Sequence, residues 1–356
     1  DRSPSRGLGD VYKRQVLIDI EACRTSFLRR MDLSKNYITQ IVEAVNSVTE
    51  HCGPVLLFGE NIDTGSKLSG LARGLKVNPE GRILNVGNCE LTHIGVGLGM
   101  MMDGGNAAVF MKQLDFLLLG LDQLVNTFNF IRSTRPRNQL GSFTVFLIIC
   151  DQGYQGPQSS LNAAGDVASL GNVDVYCLNT AEEARSIVGT QFVSPGFRVI
   201  CTSQRLFGTP VLDLPVEMKT TDNSIFRYRS GDDVTIACYN FALREGLRLA
   251  DQLSNVGIKS DLLHVNFVPG IGLEPLIDSC TRTGALVLLD DSKTVTKFGD
   301  SLVIGLHARD VKPAVLSLSR RGSQGIDYGV SEDQFIVEDR SVLDFLDRIR
   351  SRTVVG

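Results

Sequence analysis

The chain has 356 residues, 43% of them hydrophobic, which is enough apolar length for two cores rather than one. A formal charge of -4, no Trp, 7 Tyr and 17 Phe exclude a basic face with interleaved aromatics, so nucleic acid is not an expected partner. Eight scattered cysteines lack a C-x-x-C pair, and several sit inside apolar runs such as VFLIIC and VTIAC; they read as reduced thiols of a cytoplasmic protein rather than a disulfide frame or a zinc site.

Residues 1–30 read as a leader outside the fold, non-native or disordered, with Met31 a candidate start; Asp10, Asp19 and Glu21 count against a transit peptide. From Ser34 onward, Ile38, Ile41, Val42, Ala44 and Val45 fall at helical spacing, and Gly53-Pro54 ends that helix. A buried strand, VLLF, then runs into Gly59-Glu60-Asn61, and RILNV (82–86) is a second β-branched run. AAVFM (107–111) reads as a strand and Phe116–Asn129 as a helix with Leu117, Leu121, Leu124, Val125 and Phe128 along one side. Asp115 and Asp122 break the longest apolar run, so nothing approaches the roughly 18 residues needed to cross a bilayer. TVFLIIC (144–150), VDVYCLN (173–179), a helix over 181–188 and FRVICTS (197–203) complete a layer. Strands that are nearly continuous in apolar residues and alternate with helices predict an α/β fold with a parallel sheet covered on both faces.

Residues 205–230 show no clear period and carry Pro210, Pro215 and the polar TTDNS patch, which predicts a linker. A smaller α/β unit then starts afresh over 231–356: VTIACYN, a helix from Ala242 to Leu253, DLLHVNFV, a helix near Glu274–Cys280, ALVLLDD and PAVLSLS. Asp290-Asp291 at the end of its third strand reads as a solvated turn, and His51, His264 and His307 as structural histidines.

The most informative stretch is Asn88–Gly105, NCELTHIGVGLGMMMDGG. It places Glu90 where a strand gives way to a helix, the edge of an open α/β sheet that faces ligands. Gly95, Gly97, Gly99 and Gly104 interrupt that helix, each at a cost of about 1 kcal/mol against alanine, so close packing is expected there. From these residues alone Glu90 is either a functional carboxylate or a first-turn acid that complements the helix dipole. The glycines do not fit G-x-G-x-x-G, because Met100 and Met102 hold the third-glycine places.

Over nearly all of 31–356 the chain resembles the beta subunit of the first component of thiamine-diphosphate-dependent 2-oxo acid dehydrogenase complexes, the pyruvate dehydrogenase beta subunit and its relatives. The resemblance lies in Gly59-Glu60 at a strand end, in Glu90, Gly95 and Gly99 as E-x-x-x-x-G-x-x-x-G, and in Phe116 followed by Asp122-Gln123-Leu124-Val125-Asn126. Gly231-Asp232-Asp233-Val234-Thr235-Ile236 is similar to the opening of a transketolase-type C-terminal domain. The resemblance implies a pyrimidine-binding domain over 31–204 and a transketolase C-terminal-like domain over 231–356. It also implies that Glu90 hydrogen-bonds a ring nitrogen of the cofactor's aminopyrimidine, that Phe116 stacks on that ring, and that Glu60 lies near the same pocket. A carboxylic acid in an apolar pocket holds its proton more firmly and so can share one with the ring.

Two departures qualify the function that the resemblance implies. The diphosphate and Mg2+ half of such a site is signalled by GDG followed further along by NN; Gly165-Asp166-Val167 and Gly231-Asp232-Asp233 are the nearest approaches and neither has the asparagines. The implied assembly is therefore a two-plus-two heterotetramer, whose alpha subunit supplies that half and with which a lipoyl acyltransferase is a further expected partner; no metal ligand is assigned to this chain. Ser159 stands where the family has a histidine, and serine does not do acid–base work near neutral pH unaided. His93, one turn past Glu90, reads either as a pocket residue or as helix packing. The readings kept open are a 2-oxo acid dehydrogenase subunit, the C-terminal half of a split transketolase or ketose-forming enzyme, and a catalytically inert assembly subunit.

Overall fold

A computed structural model describes residues 36–151, 161–294, 296–320 and 335–353. The leader over 1–30 and Ser159 lie outside the described residues. Helix α1 (Tyr37–Thr49) starts where the Asn36 side chain accepts from Thr39 N–H, and it buries Ile41, Val42, Ala44 and Val45. Tyr37 anchors it, since its hydroxyl donates to the Leu178 carbonyl at 2.5 Å and accepts from Ser203 N–H at 3.1 Å.

The first sheet contains β1 (Val55–Gly59), β2 (Arg82–Asn85), β3 (Asn106–Met111), β4 (Ser142–Ile149), β5 (Asp174–Cys177) and β6 (Gly196–Ser203), in the order β2-β1-β3-β4-β6-β5. All five pairings are parallel. Every residue of β4 and β6 is buried, as their unbroken apolar runs require of strands covered on both faces. β2, at the edge, is largely exposed.

Helix α2 (Glu90–Met102) covers part of this sheet, and its glycines do not all serve close packing. A Cβ on Gly97 would run into the Phe143 ring, so glycine is required there, whereas Gly99 meets nothing within 4 Å and Gly95 only Gln123 Cδ at 3.9 Å. Gly104 follows the helix with φ +84°, a left-handed turn that glycine adopts without strain. After β3 the chain is helical by several windings: α3 (Leu114–Leu117), a 3-10 turn over Leu118–Gly120, a π turn over Gln123–Thr127, and α4 (Phe128–Thr134). The side expected to be apolar carries buried Leu117, Leu124 and Phe128. Helix α5 (Ala164–Gly171) precedes β5.

The second sheet is built from β7 (Met218–Lys219), β8 (Ile225–Arg229), β9 (Val234–Tyr239), β10 (Ser260–Val265), β11 (Ala285–Asp290) and β12 (Ala314–Ser319), in the order β12-β11-β9-β10-β8-β7. The 205–230 segment, expected as a linker, is therefore only partly one: β8 pairs antiparallel with β10, and β7 with β8. Its strands are short, two and five residues, and Pro210, Pro215 and the TTDNS patch interrupt the segment, so no sustained period-2 pattern develops in the sequence. Around this sheet lie α6 (Leu243–Asn255), α7 (Glu274–Thr283), α8 (Phe298–His307) and α9 (Asp339–Thr353). No helix among the described residues is long and apolar enough to cross a membrane.

The two sheets are joined by polar groups that the sequence does not pair. Val175 on β5 exchanges backbone hydrogen bonds with Phe267 just past β10, at 2.9 and 3.0 Å. Glu183 accepts from Asn179 N–H, Tyr228 OH and His264 Nδ1 at 2.6, 2.6 and 2.8 Å in a fully buried cluster. Asp290-Asp291 is not a solvated turn, because the two side chains are 3% and 0% exposed. Asp291 accepts from Phe241 N–H at 3.1 Å and pairs with Arg205 at 3.2 Å, while Arg205 also faces buried Asp151 at 3.4 Å. Burial pushes the Asp151 carboxyl up, against the pull of Arg205, and burial pushes up that of Asp290 as well.

Two outcomes follow from this packing. Gly97→Ala should lower the unfolding free energy on the order of 1 kcal/mol net, overpacking against Phe143 exceeding the gain in helix propensity, whereas Gly99→Ala should raise it by up to about 1 kcal/mol; urea titration of the two variants checks both. A raised native carboxyl pKa means that stability is fully present below the unfolded value near pH 3.9 and is lost as pH rises through the native value. Asp290→Asn should therefore flatten part of the decline in unfolding free energy above about pH 4 in denaturant titrations run from pH 3.5 to 7.

Candidate functional site

In the first sheet the chain leaves β1 toward β2 on one side and returns to β3 on the other, so β1 and β3 form the point where strand order reverses. Loops diverge there and open a crevice at the carboxyl ends of the strands. A cavity of about 180 Å³ occupies that place, lined by Glu60 from the end of β1, Glu90 and His93 from α2, Lys112 from the end of β3, and Phe116 from α3. The three residues singled out from the sequence, Glu60, Glu90 and Phe116, are thus brought to one cavity.

Local structure explains how. A Cβ on Gly59 would collide with the Phe110 carbonyl oxygen, so only glycine lets β1 reach its end beside β3 and turn. Asn61 takes the left-handed conformation at φ 57° and donates from Nδ2 to Glu60 Oε1 at 3.0 Å, which steadies that carboxylate. Lys67, Leu68 and Ser69 are left-handed in succession, at φ 50°, 54° and 56°, which costs roughly 1 to 2 kcal/mol for each residue; such strain concentrates at ligand-facing walls, and Leu68 lines this cavity.

Glu90 occupies the first turn of α2, where Cys89 gives no side-chain cap. Its carboxylate is half-buried and takes no hydrogen bond among the described residues, so it complements the helix dipole while remaining open to a ligand. The α3 side of the cavity is drawn in by Gly120, where a Cβ would lie 2.5 Å from Ile94 Cγ1 and 3.3 Å from the Glu90 carbonyl oxygen. That close approach keeps the half-buried Phe116 ring on the same cavity as Glu90. His93 is 7% exposed, lies 2.8 Å from the Gly87 carbonyl through Nε2, and meets Phe58 edge-on at 6.1 Å.

The remaining sequence candidates are elsewhere. His264 is in the buried Glu183 cluster, His307 is exposed at the end of α8, and His51 faces its own helix through the Ser47 carbonyl. Lys112 was not anticipated, because a lone lysine after a strand carries no pattern; only the reversal of strand order shows that it borders the crevice. No group of three or more His, Cys, Asp or Glu among the described residues is arranged to hold a metal ion.

The comparisons agree with this architecture. A solved split-gene transketolase, described as an inactive beta4 tetramer, superposes with a TM-score of 0.62 at 17% identity, over 88% of this chain and 95% of that one. The fold is transketolase-like. In sequence, the transketolase-like chain is 23% identical over 269 residues to the mitochondrial pyruvate dehydrogenase E1 component subunit beta-2 of Oryza sativa subsp. japonica, covering 70% of this chain and 69% of that protein. It is 22% identical over 287 residues to the pyruvate dehydrogenase E1 component subunit beta of Staphylococcus aureus strain MW2, covering 79% and 86%. No protein-family model matches the chain. The expected resemblance to pyruvate dehydrogenase beta subunits and the expected α/β fold therefore both hold.

Gly120→Ala should lower the unfolding free energy by about 1 to 3 kcal/mol, since the added methyl has no room against Ile94. Gly95→Ala, with space around it, should not, and thermal unfolding of the pair measures the difference.

Proposed function

We propose that the chain is the beta-type subunit of a thiamine-diphosphate-dependent enzyme that acts on a 2-oxo acid, with its first sheet, β1 to β6, in the pyrimidine-binding domain and its second, β7 to β12, in the C-terminal domain. The observation that carries this is the convergence of Glu90 and Phe116 on one crevice at the β1/β3 reversal. The residues present fit an aminopyrimidine: a carboxylate without a partner among the described residues, able to hold a proton at a ring nitrogen, and an aromatic face for an offset stack. Glu60, steadied by Asn61, is a second carboxyl group on the same cavity, which in its protonated form can pass that proton to Glu90 and take up another from solvent. When bound, thiamine diphosphate supplies the carbanion-stabilising chemistry by which a 2-oxo acid loses its carboxylate.

The crevice lines up two carboxylates against one lysine, so its formal charge is poorly suited to a diphosphate. This supports an alpha subunit that carries the diphosphate and Mg2+ half, in a two-plus-two heterotetramer, with a lipoyl acyltransferase as acyl acceptor. Seven described cysteines are free thiols, five of them buried, in keeping with a reducing, cytoplasmic setting. A second reading, half of a split ketose-forming transketolase, is favoured by the structural likeness; product analysis with a 2-oxo acid and with a ketose phosphate separates the two.

The test is reconstitution with a partner chain bearing GDG and NN. The chain alone should be inactive, the complex should turn over, and Glu90→Gln should cut kcat on the order of 10² to 10⁴-fold. Full activity of the lone chain, or unchanged turnover in the Glu90→Gln complex, would overturn the reading. Phe116→Leu should weaken cofactor binding by about 0.5 to 1.5 kcal/mol beyond lost burial, as read by calorimetry.

A further inference from the structure

We propose that His93 is the proton-transfer residue of the crevice; this rests on the thiamine-dependent reading above and adds to it the group that handles the substrate's proton. His93 is the one histidine among the described residues that lines the cavity with Glu90. Its Nε2 stands 2.8 Å from the Gly87 carbonyl, and a carbonyl only accepts, so Nε2 carries the hydrogen and donates it. The tautomer is thereby set, and in the neutral ring Nδ1 holds the lone pair. Nδ1 takes no hydrogen bond among the described residues.

A histidine kept only to tie down Gly87 would use one nitrogen; the other, on a side chain that is 7% exposed, is not among the buried polar atoms without a partner and so is left for a ligand or water to meet. Phe58, edge-on to the imidazole with ring planes at 86°, and the Gly87 bond together hold the ring in one orientation. The titratable groups on the surrounding elements are Glu60 from β1, Glu90 and Cys89 at the start of α2, and Lys112 from β3. Nδ1 takes the proton of a ligand hydroxyl, whose O–H electron pair stays on oxygen, and the imidazolium later returns that proton, so the ring ends neutral and nothing is consumed.

Two substitutions separate a base from a structural tie. His93→Gln can keep an amide N–H on the Gly87 carbonyl while removing the ionisable ring, and His93→Phe loses both. The wild-type reconstituted complex is treated with diethyl pyrocarbonate, which attacks an unprotonated imidazole nitrogen, and the histidine peptides of this chain are read by mass spectrometry. In parallel, kcat/KM of the reconstituted complex is followed against pH with pyruvate. The expected result is modification of His93, suppressed by thiamine diphosphate with Mg2+, and a His93→Gln complex that melts as wild type yet loses on the order of 10²-fold in kcat and the rising limb near neutral pH. Carboxylates ordinarily titrate below that limb and thiols and ammonium groups above it. An unmodified His93 beside modified His51 and His307, or a His93→Gln pH profile parallel to wild type, overturns the proposal. A wild-type complex without thiamine-dependent turnover overturns the parent reading and the reaction assigned to His93 with it, and modification of His93 in that case still reports a free Nδ1.

Discussion

The structure depends on how closely β1 can lie against β3. Gly59 sits where any side chain would strike the Phe110 carbonyl, and the two strands end side by side only because that position carries hydrogen alone. From that contact the chain diverges, toward β2 in one direction and toward α3 in the other, and the crevice is the space left between. Gly120 repeats the device on the far wall, bringing the α3 segment against Ile94 and the backbone of Glu90. Two glycines thus set the width of the site from opposite sides, while the acid and the aromatic ring that face it come from helices covering one parallel sheet.

Cohesion between the sheets has a different physical basis. Their inner strands are apolar and buried, but the join is polar, built on Glu183 with three donors and on Asp151, Arg205 and Asp291. Buried carboxylates with full sets of donors resist separation because each would be left unpaired if the sheets parted. This ties residues at the carboxyl end of β4 to residues at the carboxyl end of β11, so the strand ends that border ligand-facing loops in the first sheet are backed by the second.

The crevice combines groups that a globular core would not leave open. Glu90 is held at a helix start without a side-chain partner among the described residues, His93 is fixed by one nitrogen only, and the wall at Lys67–Ser69 is strained. Each feature alone has a structural explanation; their meeting at the reversal of strand order is what gives them a shared chemical sense.

Much of the architecture was legible in the sequence, because strands buried on both faces must be apolar throughout and helices must show their period. The runs VFLII and VICT, and the α1 stripe of Ile41, Ala44 and Val45, were read on those grounds. Glu90 was singled out by its place at a strand-to-helix edge, where it reads equally as a first-turn acid, while Glu60 and Phe116 were reached only through a resemblance of spacing, since a core phenylalanine and a strand-end acid carry no signal of their own in a lone chain. Tertiary structure alone decided the rest. β7 and β8 were hidden in an aperiodic stretch because they are short and β8 joins the sheet through a distant antiparallel partner, β10, and Asp291 looked solvated because its partners, Arg205 and the backbone of Phe241, lie far away in sequence. The meeting of Lys112 and His93 with Glu90 depends on the order of strands in the sheet, which no local pattern encodes because it arises from contacts between segments distant along the chain.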